Sequence, residues 1–182
     1  TTDQVCKAAI KTGRCAVITE SDGNGIFGDI RQMTVSTRFE AESSERTGSG
    51  KFIAAAGNPE DFAEILSDAN VMKFGYDLKL QRNLLVHNGF KLEGRLLDIE
   101  LMHYLVNPEK SHKIEILAKT YLGVNIEELN AGPAEKEQSF SLFDEVPEDD
   151  QSISRMGEAA ATVLLGARIM EELKSLELTG LY

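Results

Sequence analysis

The residues best suited to chemistry stand where a short apolar run ends in acids. The stretch "CAVITESD" places Glu20 and Asp22 directly after the apolar residues Cys15 to Ile18. Such a run is typical of a buried β-strand, and a strand that delivers carboxylates at its carboxyl end can build a rigid metal site. The residue two before Glu20, on the same strand face, is Ile18 and not a second acid. Turn chemistry is the competing interpretation, since Asp22 suits the first position of a turn.

The composition describes an acidic chain of ordinary hydrophobicity. It has 182 residues, 42% of them apolar, and a formal net charge of -11, which fits one domain with one sizeable core. The charge argues against strong autonomous binding to nucleic acid, although contact with DNA beside a basic partner domain stays open. The sequence has no apolar run of membrane-spanning length and no signal-peptide pattern, so a cytoplasmic protein without membrane partners is expected. Because it starts without Met, we expect a fragment of a longer chain.

The cysteines and histidines carry no ligand spacing. Cys6 and Cys15 form neither a disulfide framework nor a zinc pattern, and we predict reduced, buried thiols. The three histidines are far apart in sequence, and each is predicted to lie at the surface or at a helix end: His87, His103 and His112.

The hydrophobic pattern predicts antiparallel strands first and then strands that alternate with helices. We predict strands at 14–20, 26–37, 51–57 and 71–76 and a short strand before residue 100, with a turn at 22–25 and a loop at 38–50. We predict helices at 2–12, 59–69, 77–88, 112–121 and 150–176, and one that ends before Pro108. This order predicts an α/β fold with a mixed central sheet flanked by helices.

One acidic segment stands apart from these elements. Residues 130–150 are predicted to form an insert that is flexible in part. Within it, "QSFSLF" at 138–143 resembles the short peptides that dock on bacterial sliding clamps. The alternative is that Phe140 and Phe143 cover the core.

A long stretch of the sequence resembles a known family. The segment "KFGYDLKLQRNLLVHNGFKLEGRLLDIELMHYLVNPEKSHKIEILAKTYLG", 73–123, is similar to the 3′–5′ exonuclease (proofreading) domain of bacterial family A DNA polymerases, the DNA polymerase I family. The shared pattern is a Gly-led strand into a helix, a short strand bearing Asp, a helix ending in Leu-x-Asn-Pro, and then a His. The resemblance implies a ribonuclease H-like (DnaQ-like exonuclease) fold over a single domain, 1–182, with a polymerase domain in the same parent chain as partner.

The resemblance also implies where a catalytic site would lie. Active members carry Asp-x-Glu, Asn-x-x-x-Asp and Tyr-x-x-x-Asp motifs, whose four carboxylates hold two divalent metals that activate water against a phosphodiester. The matching positions here are, motif by motif, Ile18 and Glu20, Asp77 and Gln81, and Arg155 and Ala159. Of the four ligands only Glu20 remains, so we expect a vestigial site, no bound metal, and a scaffold domain with transient DNA contact.

Two other functions stay open. A rearranged acidic site of Glu20, Asp22, Asp77 and Glu158 would hold Mg²⁺ or Mn²⁺ and keep the exonuclease active. A clamp-recruiting module would instead use the acidic insert. For individual residues, Asp77 is expected to cap a helix with Gln81 on its exposed face, and the "DIE" at 98–100 is expected to start a helix and not to catalyse.

Overall fold

The computed structural model describes residues 1–23, 25–38, 52–130 and 150–181. The strands in this part of the chain are β1 Arg14–Ser21, β2 Ile30–Arg38, β3 Phe52–Gly57, β4 Met72–Gly75 and β5 Leu96–Asp98. The helices there are α1 Thr2–Thr12, α2 Ala63–Ser67, α3 Leu78–His87, α4 Ile99–Val106, α5 Ile114–Leu117, α6 Ile126–Asn130 and α7 Asp150–Ser175.

The strands form one sheet in the order β3-β2-β1-β4-β5. Strands β1, β2 and β3 pair antiparallel, whereas β1, β4 and β5 pair parallel. Ala16 at the centre pairs with Ser36 on one side and Phe74 on the other. The predicted α/β fold with a mixed sheet is therefore confirmed. Because β1, β4 and β5 run in one direction, their carboxyl ends meet at the same edge of the sheet.

The sheet separates two apolar cores, and β1 feeds both because its side chains alternate between faces. Cys15 and Val17 face the core that contains α1, α2 and α3. Ala16 and Phe74 face the core that contains α4, α5 and α7. Helix α7 comes very close to the sheet there, since a Cβ on Gly166 would lie 2.3 Å from the Phe74 ring. A residue with a Cβ at this crossing would force the Phe74 ring or α7 to shift.

Short turns explain where predicted and observed boundaries differ. Strand β2 begins at Ile30 and not at residue 26, because Gly25–Phe27 forms a 3₁₀ turn and the Asp22 N–H donates to the Asp29 carbonyl at 3.1 Å. The helix predicted to reach residue 69 starts as a 3₁₀ turn at Pro59–Phe62 and stops at Ser67. A π turn, Ala118–Leu122, follows α5, and a 3₁₀ turn, Leu178–Leu181, follows α7.

Two predicted segments cannot be compared with the structure. The loop at 38–50 and the acidic insert at 130–150 fall, apart from their end residues, outside the described residues, as does the clamp-like peptide 138–143 with Phe140 and Phe143. Within the described ranges, none of the helices combines the length and the apolar character that a bilayer crossing requires.

Candidate functional site at the carboxyl edge of the sheet

The candidate site lies where α7 crosses the carboxyl end of β1. The Ser36 hydroxyl of β2 donates to the Ala159 carbonyl at 2.8 Å in the interior, which fixes this part of α7 against the sheet. Arg155 and Glu158 are three residues apart on α7 and share one helix face. Glu20 leaves β1 at the same place, so three charged side chains from two elements converge.

Arg155 occupies the centre of this group. Its Nε lies 3.6 Å from Glu20 Oε1, and its Nη1 donates to Glu158 Oε2 at 2.5 Å. Burial lowers the pKa of the Arg155 guanidinium, but the hydrogen bond to Glu158 and the charge of Glu20 outweigh burial and raise the pKa overall. The guanidinium therefore remains a cation held between two carboxylates.

Two of the positions that the resemblance assigns to ligands hold buried apolar side chains. Ile18 is 6% exposed and Ala159 is fully buried. Ile18 shares its strand face with Glu20, the face that α7 covers. Neither side chain has an atom that could bind a metal.

Asp77 and Gln81 serve the start of α3. Asp77 adopts a left-handed conformation, φ 51°, and its carboxylate accepts from the Leu80 N–H at 3.4 Å, so it caps the helix as predicted. The prediction that Gln81 is exposed is wrong, because the side chain is only 7% exposed and its Nε2 donates to the Tyr76 carbonyl at 2.7 Å. The reason is that β4 ends at Gly75, which leaves the Tyr76 carbonyl beyond the strand and within reach of the first turn of α3.

Asp98 has a larger role than the sequence suggested. As predicted it caps a helix, since its Oδ1 accepts from the N–H groups of Glu100 and Leu101 at the start of α4. Its Oδ2 also accepts from the Leu78 N–H at 2.7 Å, which ties α3 to β5. The sequence carries a signal for the first contact, because capping is local, but none for the second.

Asp22 belongs to the turn after β1. A Cβ on Gly28 would lie 2.6 Å from Asp22 Oδ1, so this carboxylate lies directly against the turn backbone. Glu20 and Glu158 therefore both contact Arg155, whereas Asp22 lies at the turn after β1 and Asp77 caps α3.

The donor set does not fit the pair of metal ions that the resemblance implies. Among the described residues, no three His, Cys, Asp or Glu side chains lie close enough together to hold one metal ion. Two divalent ions about 3.5–4 Å apart require several anionic ligands. A guanidinium beside Glu20 adds positive charge at the place where such ions would need negative charge.

A second polar cluster lies at α4, where His103 stands in the last turn of the helix, one of the two predicted placements, but is not at the surface. This side chain is 2% exposed, and its Nδ1 lies 2.7 Å from Nδ1 of His112. The Tyr121 ring packs edge-on against His103, with ring centroids 5.7 Å apart. Burial, and then the charge of His112, lowers the pKa of His103. His103 is buried because it shares the inward face of an almost wholly apolar helix with Ile99.

The thiols take no part in either cluster. Cys6 and Cys15 are free and buried, as predicted. Burial raises the pKa of Cys15 to about 12, so its reactive thiolate form is suppressed at neutral pH.

A family model describes part of the sequence. The model for the "DNA polymerase I, ribonuclease H-like domain" matches residues 51–129. These residues run from β3 into α6 and include Asp77, Gln81 and Asp98, whereas β1 and α7 lie outside the match. A comparison with curated protein sequences gives no significant match.

Several solved structures share the fold. Pol1 of M. smegmatis, solved as the POL domain with DNA primer-template and dNTP, has 19% identity and a TM-score of 0.63, and the match covers 99% of this chain and 27% of that one. Brucella melitensis NrnC has 14% identity and a TM-score of 0.66, with 93% and 78% covered. Escherichia coli RNase D, an exoribonuclease involved in structured RNA processing, has 14% identity and a TM-score of 0.62, with 98% and 44% covered.

The matched structures differ in length from this chain, and one of them has been solved with a metal ion. The chain spans about a quarter of the mycobacterial Pol1 chain, at 27%. NrnC has also been solved with bound Mg²⁺. The fold is ribonuclease H-like, as predicted, and the resemblance to the exonuclease domain of DNA polymerase I is confirmed, with residues 51–129 carrying the sequence pattern of that family.

Proposed function

We propose that this chain is one exonuclease-like domain of a DNA polymerase I in which the hydrolytic site has been lost and the fold serves as a scaffold. The observation that carries the proposal is the use of three ligand positions for packing. Ile18 and Ala159 are buried, and Gln81 is buried with its amide bound to a backbone carbonyl. Side chains used for packing in this way bind no metal ion. The two-metal reaction requires such ions, because they activate the attacking water.

The partners follow from the same proposal. A domain that spans 27% of a matched polymerase chain would contact the polymerase domain of its own polypeptide. DNA would touch it transiently, since a net charge of -11 disfavours independent binding to phosphates. Recruitment of a sliding clamp through 138–143 remains a separate proposal that depends on residues outside the described ranges.

The proposal is tested by incubating the chain with single-stranded DNA labelled at its 5′ end. With millimolar Mg²⁺ or Mn²⁺, we expect no more shortening from the 3′ end than in a reaction without protein. A DNA exonuclease of known activity in the same buffer shows that the assay detects trimming. The proposal is wrong if trimming depends on the metal and disappears in Glu20→Ala.

The alternative of an active, rearranged acidic site receives less support. Of its four members, Asp77 is exposed and caps α3, Asp22 lies against the turn, and Glu158 is bound to Arg155. What favours activity is the fold, because exonucleases such as RNase D share it. The same trimming assay separates the two functions, and Glu158→Gln would identify a rearranged site.

A further inference from the structure

The ion pair of Arg155 with Glu20 differs from an ordinary surface pair because it joins two separate elements. Glu20 comes from β1, whereas Arg155 and Glu158 come from α7. The two glutamate side chains are 22% and 21% exposed, and that of Arg155 is 43% exposed. Each carboxylate therefore depends on the guanidinium more than an exposed carboxylate would.

Glu20 shows this dependence most clearly. Its Oε1 is buried and accepts no hydrogen bond within the described part of the chain. Within the described residues, the cation beside it is Arg155, whose Nε lies 3.6 Å from Glu20 Oε1. A carboxylate oxygen removed from water needs a compensating charge or donor. Since arginine does not lose its proton in proteins, this compensation is permanent.

We propose that the Arg155 guanidinium is the resident cation of this site, where it takes the electrostatic place of a bound divalent ion. In this role Arg155 is a positioning residue that joins α7 to β1 without any metal. The inference rests on the proposed function, because a working metal pair would leave no room for a guanidinium beside Glu20. It adds that the loss of the metal was offset by a specific side chain.

Removal of Arg155 would leave a site of like charge. Glu20 and Glu158 would then be two carboxylates near one another with no cation between them. Like charges in this setting repel and loosen the helix from the strand. An external divalent ion with oxygen-preferring chemistry could then bridge them. The guanidinium and the metal should therefore exclude one another.

Thermal unfolding with and without millimolar Mn²⁺ tests the exclusion. The wild-type chain should keep its melting temperature within about 1 °C in Mn²⁺ or in EDTA, whereas Arg155→Ala should melt roughly 3 °C lower or more. Added Mn²⁺ should recover part of that loss, and the electron paramagnetic resonance signal of free Mn²⁺ should fall in Arg155→Ala alone. Arg168→Ala is the matched control, since Arg168 pairs with Glu171 at the same spacing on α7 but is 59% exposed.

A second variant isolates the role of Glu20. In Arg155→Ala with Glu20→Gln, the melting temperature should rise relative to Arg155→Ala, and the response to Mn²⁺ should disappear. Arg155→Lys keeps a cation, so its melting temperature should not respond to Mn²⁺. This variant tests the inference if Arg155→Ala does not fold.

Two results would overturn the inference. One is a wild-type chain that Mn²⁺ stabilises, and the other is an Arg155→Ala chain that melts like Arg168→Ala and ignores Mn²⁺. Neither result depends on nuclease activity. Trimming of DNA by the wild-type chain would refute the proposed function separately.

Discussion

The segment 51–129 and the two elements that flank it, β1 and α7, use polar side chains differently. Inside the segment, two buried charged side chains bind the backbone: Lys73 donates to carbonyls, and Asp98 accepts from N–H groups. On β1 and α7, the site residues Glu20, Arg155 and Glu158 bind one another.

The difference separates the contacts that hold the fold from the contacts of the candidate site. A side chain that satisfies buried backbone groups cannot be exchanged without leaving those groups unpaired. Side chains that bind only each other can change together, provided that their charges still balance. The backbone-directed contacts of Lys73 and Asp98 lie within the segment that matches the family model. The side chains of the site could therefore change while the frame stayed in place, where the frame means the sheet and helices held by backbone-directed contacts such as those of Lys73 and Asp98.

Lys73 offers the strongest test of the frame. It is fully buried, and its Nζ donates to the Asp68 carbonyl at 2.5 Å and to the Glu93 carbonyl at 2.7 Å. Lys73→Met keeps most of the side-chain volume but leaves both carbonyls without this donor, so the free energy of unfolding should fall by about 3 kcal/mol. Urea denaturation measures the loss. Lys79→Met, on the exposed face of α3, should change it by less than about 0.5 kcal/mol. Equal effects would remove the distinction between frame and site.

Gly166 tests how closely α7 packs on the sheet at the Phe74 ring. In a free helix Gly→Ala stabilises by about 1 kcal/mol. Here the new Cβ would meet the Phe74 ring at 2.3 Å, and overpacking of this kind costs about 1–3 kcal/mol. Gly166→Ala should therefore destabilise the protein by up to about 2 kcal/mol, the reverse of its intrinsic effect. Gly180→Ala is the control, because nothing lies within 4 Å of the added Cβ. A stabilised Gly166→Ala would mean that α7 adjusts freely over the sheet.

The pair of histidines at α4 gives a smaller, pH-dependent effect. The pKa of His103 is lowered in the folded protein, chiefly by burial. The unfolded chain therefore binds the proton more readily, so stability is full above the ordinary imidazole pKa of about 6.5 and decreases as pH falls below it. One proton contributes a slope of at most about 1.4 kcal/mol per pH unit. Comparing urea midpoints at about pH 7 and about pH 5 should show a smaller decrease in His103→Phe than in wild type. Equal decreases in the two proteins would show that protonation of His103 is not linked to unfolding.

The sequence predicted the elements well because their signals are local. The apolar run of Cys15 to Ile18 and the Asp98 cap each depend on a few neighbouring residues. The contacts of the two polar clusters are not local. Arg155 and Glu20 are far apart in sequence and meet only in the tertiary structure, and His103 meets His112 across the loop between α4 and α5.

Gln81 required tertiary information of a different kind. Gln81 was predicted on the exposed face of α3, but its amide turns back to the Tyr76 carbonyl beyond the end of β4. This contact depends on how the strand ends and the helix begins, which the helical periodicity does not specify. The departures of Ile18, Arg155 and Ala159 from the motif that the resemblance implies are visible in the sequence, whereas the contact of Arg155 with Glu20 is not.

Gln81 combines features of the two regions. It lies inside the matched segment, at a position that the resemblance assigns to a metal ligand. Its Nε2 donates to the Tyr76 carbonyl at 2.7 Å, but its Oε1 is buried and has no hydrogen-bond partner in the described part of the chain. Gln81→Leu removes one hydrogen bond and one unsatisfied acceptor, each worth about 1 kcal/mol with opposite sign. The free energy of unfolding should therefore change by less than about 0.5 kcal/mol, the smallest of these effects. A loss several times larger, measured by urea denaturation, would mean that Gln81 belongs with Lys73 and Asp98 to the frame. A negligible loss would mean that Gln81, unlike the buried apolar residues Ile18 and Ala159, contributes little to stability.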